Sequence, residues 1–129
     1  MDTDCELVGD LDRLRRYDWF TTHEPPHFVN CAFSGGVAGN RVSEAILKEI
    51  LQFDFKNYKG KIPLPAFVGP WLQTKVCKEI LVNPMPIVDY KEAILPLEVG
   101  FGLNYTEYHR GNRDWPESAI VRHHWAKSW

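Results

Sequence analysis

Proline and glycine set the first limit on this chain. Pro25-Pro26, Gly35-Gly36, Gly39, Pro63, Pro65, Gly69-Pro70, Pro84, Pro86, Gly100, Gly102, Gly111 and Pro116 cut it into short pieces, because proline withholds a backbone donor and glycine leaves the backbone unrestrained. They divide the chain into short candidate elements. Trp19-Phe20-Thr21-Thr22 and Phe28-Val29-Asn30-Cys31-Ala32-Phe33 are β-branched and aromatic runs flanking Glu24-Pro25-Pro26, which predicts two strands and a rigid turn. After the flexible stretch 34–39, Asn40 can cap a helix. Its Val42, Ala45, Ile46 and Ile50, with Phe53 beyond, recur at three- and four-residue intervals and define one buried face.

Pro70 is suited to open a second helix, since the first turn does not need its missing N–H, and Leu72, Val76 and Ile80 would line the buried side. Pro84 and Pro86 stop that helix, Ile87-Val88 predicts a brief strand, and residues 95–116 read as a long loop. Tyr105, Tyr108, His109 and Trp115 give the loop a packing or ligand-facing surface. Ser118-Ala119-Ile120-Val121 reads as a last strand that delivers His123-His124-Trp125-Ala126-Lys127-Ser128-Trp129.

The chain has 129 residues, 44% of them hydrophobic, enough for one domain with a core and too few for a second. Net charge is -2 and neither sign gathers into a run, which argues against nucleic acid as a partner. No stretch approaches the roughly 18 apolar residues of a membrane span, and the acidic start is unlike a secretion signal. Cys5, Cys31 and Cys77 are widely spaced and odd in number, so they read as buried or half-buried thiols. Asn104-Tyr105-Thr106 is a glycosylation acceptor triplet, relevant only in a secretory lumen.

Chemistry gathers at the two ends. Asp2 and Asp4 share a face if Thr3 is extended; a turn there lets one bind a metal directly and the other act through water or a ribose hydroxyl. Oxygen ligands of this kind suit Mg²⁺ or Mn²⁺, which can bridge a diphosphate and offset charge on it as it leaves. The tail offers a nitrogen ligand, a cationic donor, a hydroxyl donor and a flat aromatic surface within seven residues. The competing reading makes Trp125 and Trp129 core anchors and the histidines surface residues.

The order of these elements resembles a known family. Asp2-Thr3-Asp4-Cys5-Glu6-Leu7 followed by Asp10-Leu11-Asp12-Arg13-Leu14 looks like the D-x-D segment of the family 32 glycosyltransferases, related to fungal initiating α-1,6-mannosyltransferase and bacterial capsular sugar transferases. Asn30-Cys31-Ala32-Phe33-Ser34-Gly35 is similar to the family's next strand, Gly69-Pro70-Trp71 to its Gly-Pro motif before a helix, and residues 123–129 to its closing His-His-aromatic-x-x-Ser-Trp.

The resemblance implies an α/β fold, the C-terminal part of a GT-A type sugar-nucleotide transferase, and sugar transfer with retention. It implies Mn²⁺ or Mg²⁺ as cofactor, a nucleoside-diphosphate sugar as donor, and a glycan or glycolipid acceptor. Asp2 would sit near the ribose and metal, and Asp4 would be the direct ligand. His124, with His123 as the competing choice, would reach metal or diphosphate from the other side. Ser128 and Trp129 would close on the phosphates, Lys127 would add a phosphate contact or point outward, Asn30 would line the donor or acceptor pocket, and Gly69-Pro70 would shape the acceptor wall. Glu24, Asp89 and Glu107 are the carboxylates left to stabilise or trap a sugar cation, with Asp89 preferred.

Two departures stand out. Lys127 occupies a place where the family more often has glycine, and the nucleotide-binding half that precedes the D-x-D in the family is largely absent, so the whole chain, 1–129, is read as one partial domain. The D-x-D strand is then expected at an open sheet edge, which favours self-association. Membrane association would come through an upstream segment, and the compartment stays open between the Golgi lumen and a cytoplasmic or membrane-peripheral bacterial setting. A non-catalytic remnant or binding module of the same fold is the alternative, and a metal-dependent hydrolase the third reading.

Overall fold

The computed structural model describes residues 1–25, 27–82 and 91–125. Strand β2 (Trp19–Glu24) runs antiparallel to β3 (Phe28–Gly36) and parallel to β4 (Glu92–Leu95), giving a three-stranded sheet in the order β3-β2-β4. Side chains alternate along a strand, and β2 is buried on both faces. Thr21 meets α3 (Leu72–Val82) through the Gln73 Nε2 donor at 3.0 Å. Thr22 on the other face packs so closely on α4 (Leu97–Gly100) that a Cβ on Gly100 would overlap it.

Two cores result. Trp19, Val29, Val42, Val76 and Cys77 join the sheet to α1 (Arg41–Gln52) and α3. Phe33, Leu95, Phe101, Ile120, Val121 and Trp125 join its other side to the C-terminal segments. The chain is a mixed α/β domain with the sheet as its middle layer.

Helix α1 begins where expected, with Asn40 Oδ1 accepting the Ser43 N–H at 2.9 Å. Its first residue, Arg41, clamps Glu92 of β4 through two hydrogen bonds of 2.7 and 2.6 Å, and the Glu92 side chain is almost wholly buried. Helix α3 starts two residues later than expected. Pro70 lies inside a π-type turn, Phe67–Trp71, in which Gly69 leaves helical geometry, and a short helical turn α2 (Leu64–Ala66) precedes it.

Other expectations need correction. Residues 95–116 are not one loop: they contain α4 and α5 (Tyr105–His109), the latter closed by a reciprocal cap between Asn104 and Glu107. Strand β4 carried no strand signal of its own, because its pairing partner β2 lies some seventy residues earlier in the chain. The last strand, β5, is Val121–His123; Glu117 and Ser118 form a turn before it, closed by the Ala119 N–H on Pro116 O. Cys77 is buried and Cys5 half-buried as expected, whereas Cys31 is exposed. Ile87-Val88 lies outside the described residues.

The acidic start is not at an edge of the main sheet. Strand β1 (Cys5–Leu7) pairs antiparallel with β5 in a separate two-stranded sheet. The outer side of β3 is engaged by the Asp2 N–H, which donates to Ala32 O at 2.7 Å, and by Thr74 Oγ1, which accepts the Val29 N–H at 2.8 Å. Among the described residues the far side of β4 has no strand partner, and Ile94 is exposed there.

Candidate functional site

The register of the small sheet decides which end groups meet. Cys5 lies opposite His123, and Glu6 opposite Arg122. By alternation Cys5 and His123 share one face, and Glu6 and Arg122 the other. Asp4, in the turn just before β1, leans to the first face: its Oδ1 is 3.6 Å from His123 Nε2. One carboxylate oxygen of Asp4, the Cys5 sulfur and one His123 nitrogen all lie within 4.8 Å of one another.

His124 takes the opposite side. Its backbone N–H donates to Asp4 O at 2.9 Å, while its Nε2 sits 3.5 Å from Glu6 Oε2 and its ring packs by Tyr108 and Trp115. Of the two histidines, His123 is therefore the one whose ring is brought to the Asp4 carboxylate.

The His123 ring is fixed by packing. It lies 4.0 Å from the Trp125 ring and 4.9 Å from Phe101, centroid to centroid, and its Nδ1 accepts the Trp125 N–H at 3.2 Å. Trp125 adopts φ 48°, a left-handed conformation rare for a bulky residue, and is anchored by its indole N–H on Leu103 O at 3.1 Å. Trp125 is thus a core anchor, yet His123 beside it is buried and not a surface residue.

Burial holds the His123 ring below its ordinary value of 6.5, opposed by the charges of Asp4 and then Asp2, so the neutral ring prevails at neutral pH. Burial, followed by the charges of Asp4 and Asp2, pushes the Cys5 thiol up to about 12. In the neutral tautomer set by Trp125, the His123 proton is on Nε2 and points toward Asp4.

A second feature adjoins this one. Asn30, buried on β3, donates from Nδ2 to Glu24 Oε2 at 2.7 Å and accepts the Ala32 N–H on Oδ1. Burial raises the Glu24 carboxyl above its ordinary value, and the Asn30 hydrogen bond offsets part of that. Glu24 opens into a cleft of ≈ 230 Å³ lined by Pro25, Asn104, Tyr105 and Thr106. The Tyr105 ring stands edge-on to Trp125 with centroids 6.0 Å apart, so the cleft and the Asp4–His123 cluster meet across one aromatic wall.

Cys31 follows Asn30 on β3 and its side chain takes the opposite face, where a Cβ on Gly69 would come 3.2 Å from its sulfur; desolvation first, and then the charge of Asp2, pushes its thiol up to about 11. The Gly69-Pro70 turn thus backs the same strand that carries Asn30.

Asp4 and His123 meet on the β1–β5 sheet with Asp2 acting on them, Asn30 and Glu24 meet near the β2–β3 turn, and Gly69 lies against Cys31 on the other face of β3. Glu107 joins neither group, because its carboxylate is used on the Asn104 N–H in the α5 cap. Asp89, Lys127, Ser128 and Trp129 lie outside the described residues. Cys5 escaped the sequence reading although it is Asp4's neighbour; only its register opposite His123 makes it relevant. Family models, curated proteins and solved structures contain no match to this chain.

Proposed function

We propose that this domain belongs to a metal-dependent glycosyltransferase that moves a hexose or related sugar, with retention, from a nucleoside-diphosphate sugar to a glycan or glycolipid acceptor. The observation that carries the reading is the β1–β5 pairing, which sets the Asp4 carboxylate 3.6 Å from the His123 ring although 119 positions separate them. A chain that joins its two ends in this way builds a site from both.

The residues fit a divalent ion. Asp4 supplies an oxygen and His123 a nitrogen on the same face, and Asp2 adds negative charge within reach of both Cys5 and His123. His123 Nε2 could take an ion in the other neutral tautomer, with the ring proton moved to Nδ1 and the Trp125 N–H contact given up. Bound Mn²⁺ or Mg²⁺ would bridge the diphosphate and offset its growing charge as a leaving group.

The chain's own side chains do the rest. Trp125 and Phe101 hold the His123 ring in place, and the Asp2 backbone is tied to β3 through Ala32. Of the three carboxylates considered for the sugar cation, Glu24 is half-buried, held by Asn30 and open to the cleft at α5. A preformed carboxylate in such partly dry surroundings acts on developing positive charge more strongly than one in water.

Calorimetric titration of the 129-residue chain with UDP or GDP tests this, with and without Mn²⁺. Binding that needs the metal is expected, with loss in Asp4→Asn and a larger loss in His123→Gln than in His124→Gln. Absence of metal-dependent binding by either diphosphate would overturn the reading.

A further inference from the structure

We infer that the aromatic, lysine-rich surface at the C-terminal end of α1 docks on a membrane surface that carries anionic lipid headgroups. It uses none of the residues of the Asp4–His123 site and stands independently of the transferase reading.

The chain changes character after α1. From Phe55 to Lys78 there are five lysines and no acidic residue, in a chain whose net charge is -2. Phe53, Phe55, Tyr58, Phe67 and Trp71 fall in or beside the same stretch, and they pack on one another. Phe53 lies 4.9 Å from Phe55, 5.3 Å from Tyr58 and 4.8 Å from Phe67, and Phe67 stacks on Trp71 at 4.7 Å, centroid to centroid. None of the five belongs to either core, and no residue from 51 to 71 is buried.

Five rings outside the cores leave apolar area in water. Leu51, two residues before Phe53, is 84% exposed and Phe55 45%, and Leu47, one turn earlier on α1, and Trp71 are exposed as well. Apolar area of this kind with a polar border marks an interaction surface. Lysines supply the border: Lys56, Lys59 and Lys61 are exposed on the loop that joins the rings, and Lys78 is exposed two turns after Trp71. Of the nearest acids, Asp54 accepts the Lys56 and Asn57 N–H groups and the Asn57 Nδ2 donor, and Glu49 holds Lys75.

The loop is held in place before any contact. The Asp54 turn closes one end, and Tyr58 Oη donates to Ile62 O at 2.9 Å across the other. Gly60 lies so close to the Tyr58 ring that a Cβ there would overlap it. Presenting the three lysines therefore costs little ordering.

The combination selects the occupant. Leucines and aromatic rings seat at the boundary between headgroups and acyl chains, while lysines beside them meet the negative surface. No described helix is long and apolar enough to cross a membrane, so this contact is made at its surface. A second copy fits less well, because a two-fold contact would press the lysines against their own counterparts. Nucleic acid also fits less well: bases stack on open ring faces, whereas Phe67 and Trp71 cover each other and Leu47 and Leu51 are aliphatic.

The test is cosedimentation of the 129-residue chain with vesicles of phosphatidylcholine alone and of equal parts phosphatidylcholine and phosphatidylserine. Binding to the mixed vesicles is expected, little to the neutral ones, with a fall as salt rises. Lys56→Gln, Lys59→Gln and Lys61→Gln should each weaken partitioning by roughly fivefold. Leu51→Ser and Phe55→Ser should weaken it too while keeping the Tm of the unaltered chain, since both side chains are exposed. The blue shift of tryptophan fluorescence on vesicle binding should be lost in Trp71→Phe.

No binding to the mixed vesicles, or binding that these lysine and apolar substitutions leave unchanged, overturns the inference. Tighter binding to a single-stranded oligonucleotide through the same lysines, or a dimer that Phe55→Ser dissociates, also overturns it and assigns the surface to that partner. Neither Mn²⁺ nor a nucleoside diphosphate enters these measurements, so this surface and the transferase reading fail separately.

Discussion

The two sides of the central sheet satisfy their polar groups differently. On the α1–α3 side, Thr21 donates to Asn30 O and accepts from Gln73, and Thr74 takes the Val29 N–H while donating to Pro70 O at 2.6 Å. Arg41 and Glu92 complete each other through a forked pair. On the C-terminal side, Trp115 Nε1, Arg122 Nε and Thr22 Oγ1 are buried without a partner among the described residues, Asp4 and His123 stop short of hydrogen-bond distance, and Trp125 has an unfavourable φ. Native folds leave few buried polar groups unmet, and strain gathers where it serves a ligand. The comparison teaches that the first side meets its polar groups internally, whereas the second leaves several unmet among the described residues.

The comparison can be broken in four places. The largest effect is expected on the fold-building side, where Arg41→Ala leaves Glu92 buried and uncompensated and should cost about 3 kcal/mol in chemical denaturation. A loss below 1 kcal/mol would mean the clamp is dispensable.

Next comes the response to ligand. At a hundredfold excess over Kd, Mn²⁺ with a nucleoside diphosphate should stabilise the chain by about 2.7 kcal/mol, read as a rise in Tm. Asp4→Asn should abolish that rise, and Arg41→Ala should retain it.

A matched pair sharpens the contrast. Thr74→Val strips the buried Val29 N–H of its acceptor and should cost about 1–3 kcal/mol, whereas Trp115→Phe removes a donor that already lacks a partner and should cost less. Equal costs would erase the difference between the two sides.

The smallest effect concerns pH. The folded Glu24 carboxyl is raised above its ordinary 4.5, chiefly by burial, so its contribution to stability is full below 4.5 and lost as pH rises through the folded value. Glu24→Gln should therefore raise the unfolding midpoint slightly near neutral pH and leave it unchanged well below pH 4.5. A drop at neutral pH would show that the carboxylate is held more favourably than its burial implies.

Much of the fold-building side was legible in the residues. The Asn40 cap and the Val42–Ile46 spacing mark α1, and the runs on either side of Pro25 mark β2 and β3, because these signals act over a few residues. Strand β4 and helix α5 were not. Glu92–Leu95 becomes a strand by lying parallel to β2, and Tyr105–His109 was hidden among glycines that suggested a loop. The candidate site was half legible: Asp2, Asp4, Asn30, Glu24 and the histidine pair were visible as chemistry, but not which of them meet.

Local sequence determined the elements of the α1–α3 side and the inventory of reactive groups at both ends, since caps, breaks and periodicity depend on near neighbours. The tertiary structure alone decided that His123 and not His124 turns to Asp4, and that Glu24, held by Asn30, opens to a cleft at α5. Strand register across a distant pairing assigns faces, and a shift of one residue in β5 would have exchanged the two histidines.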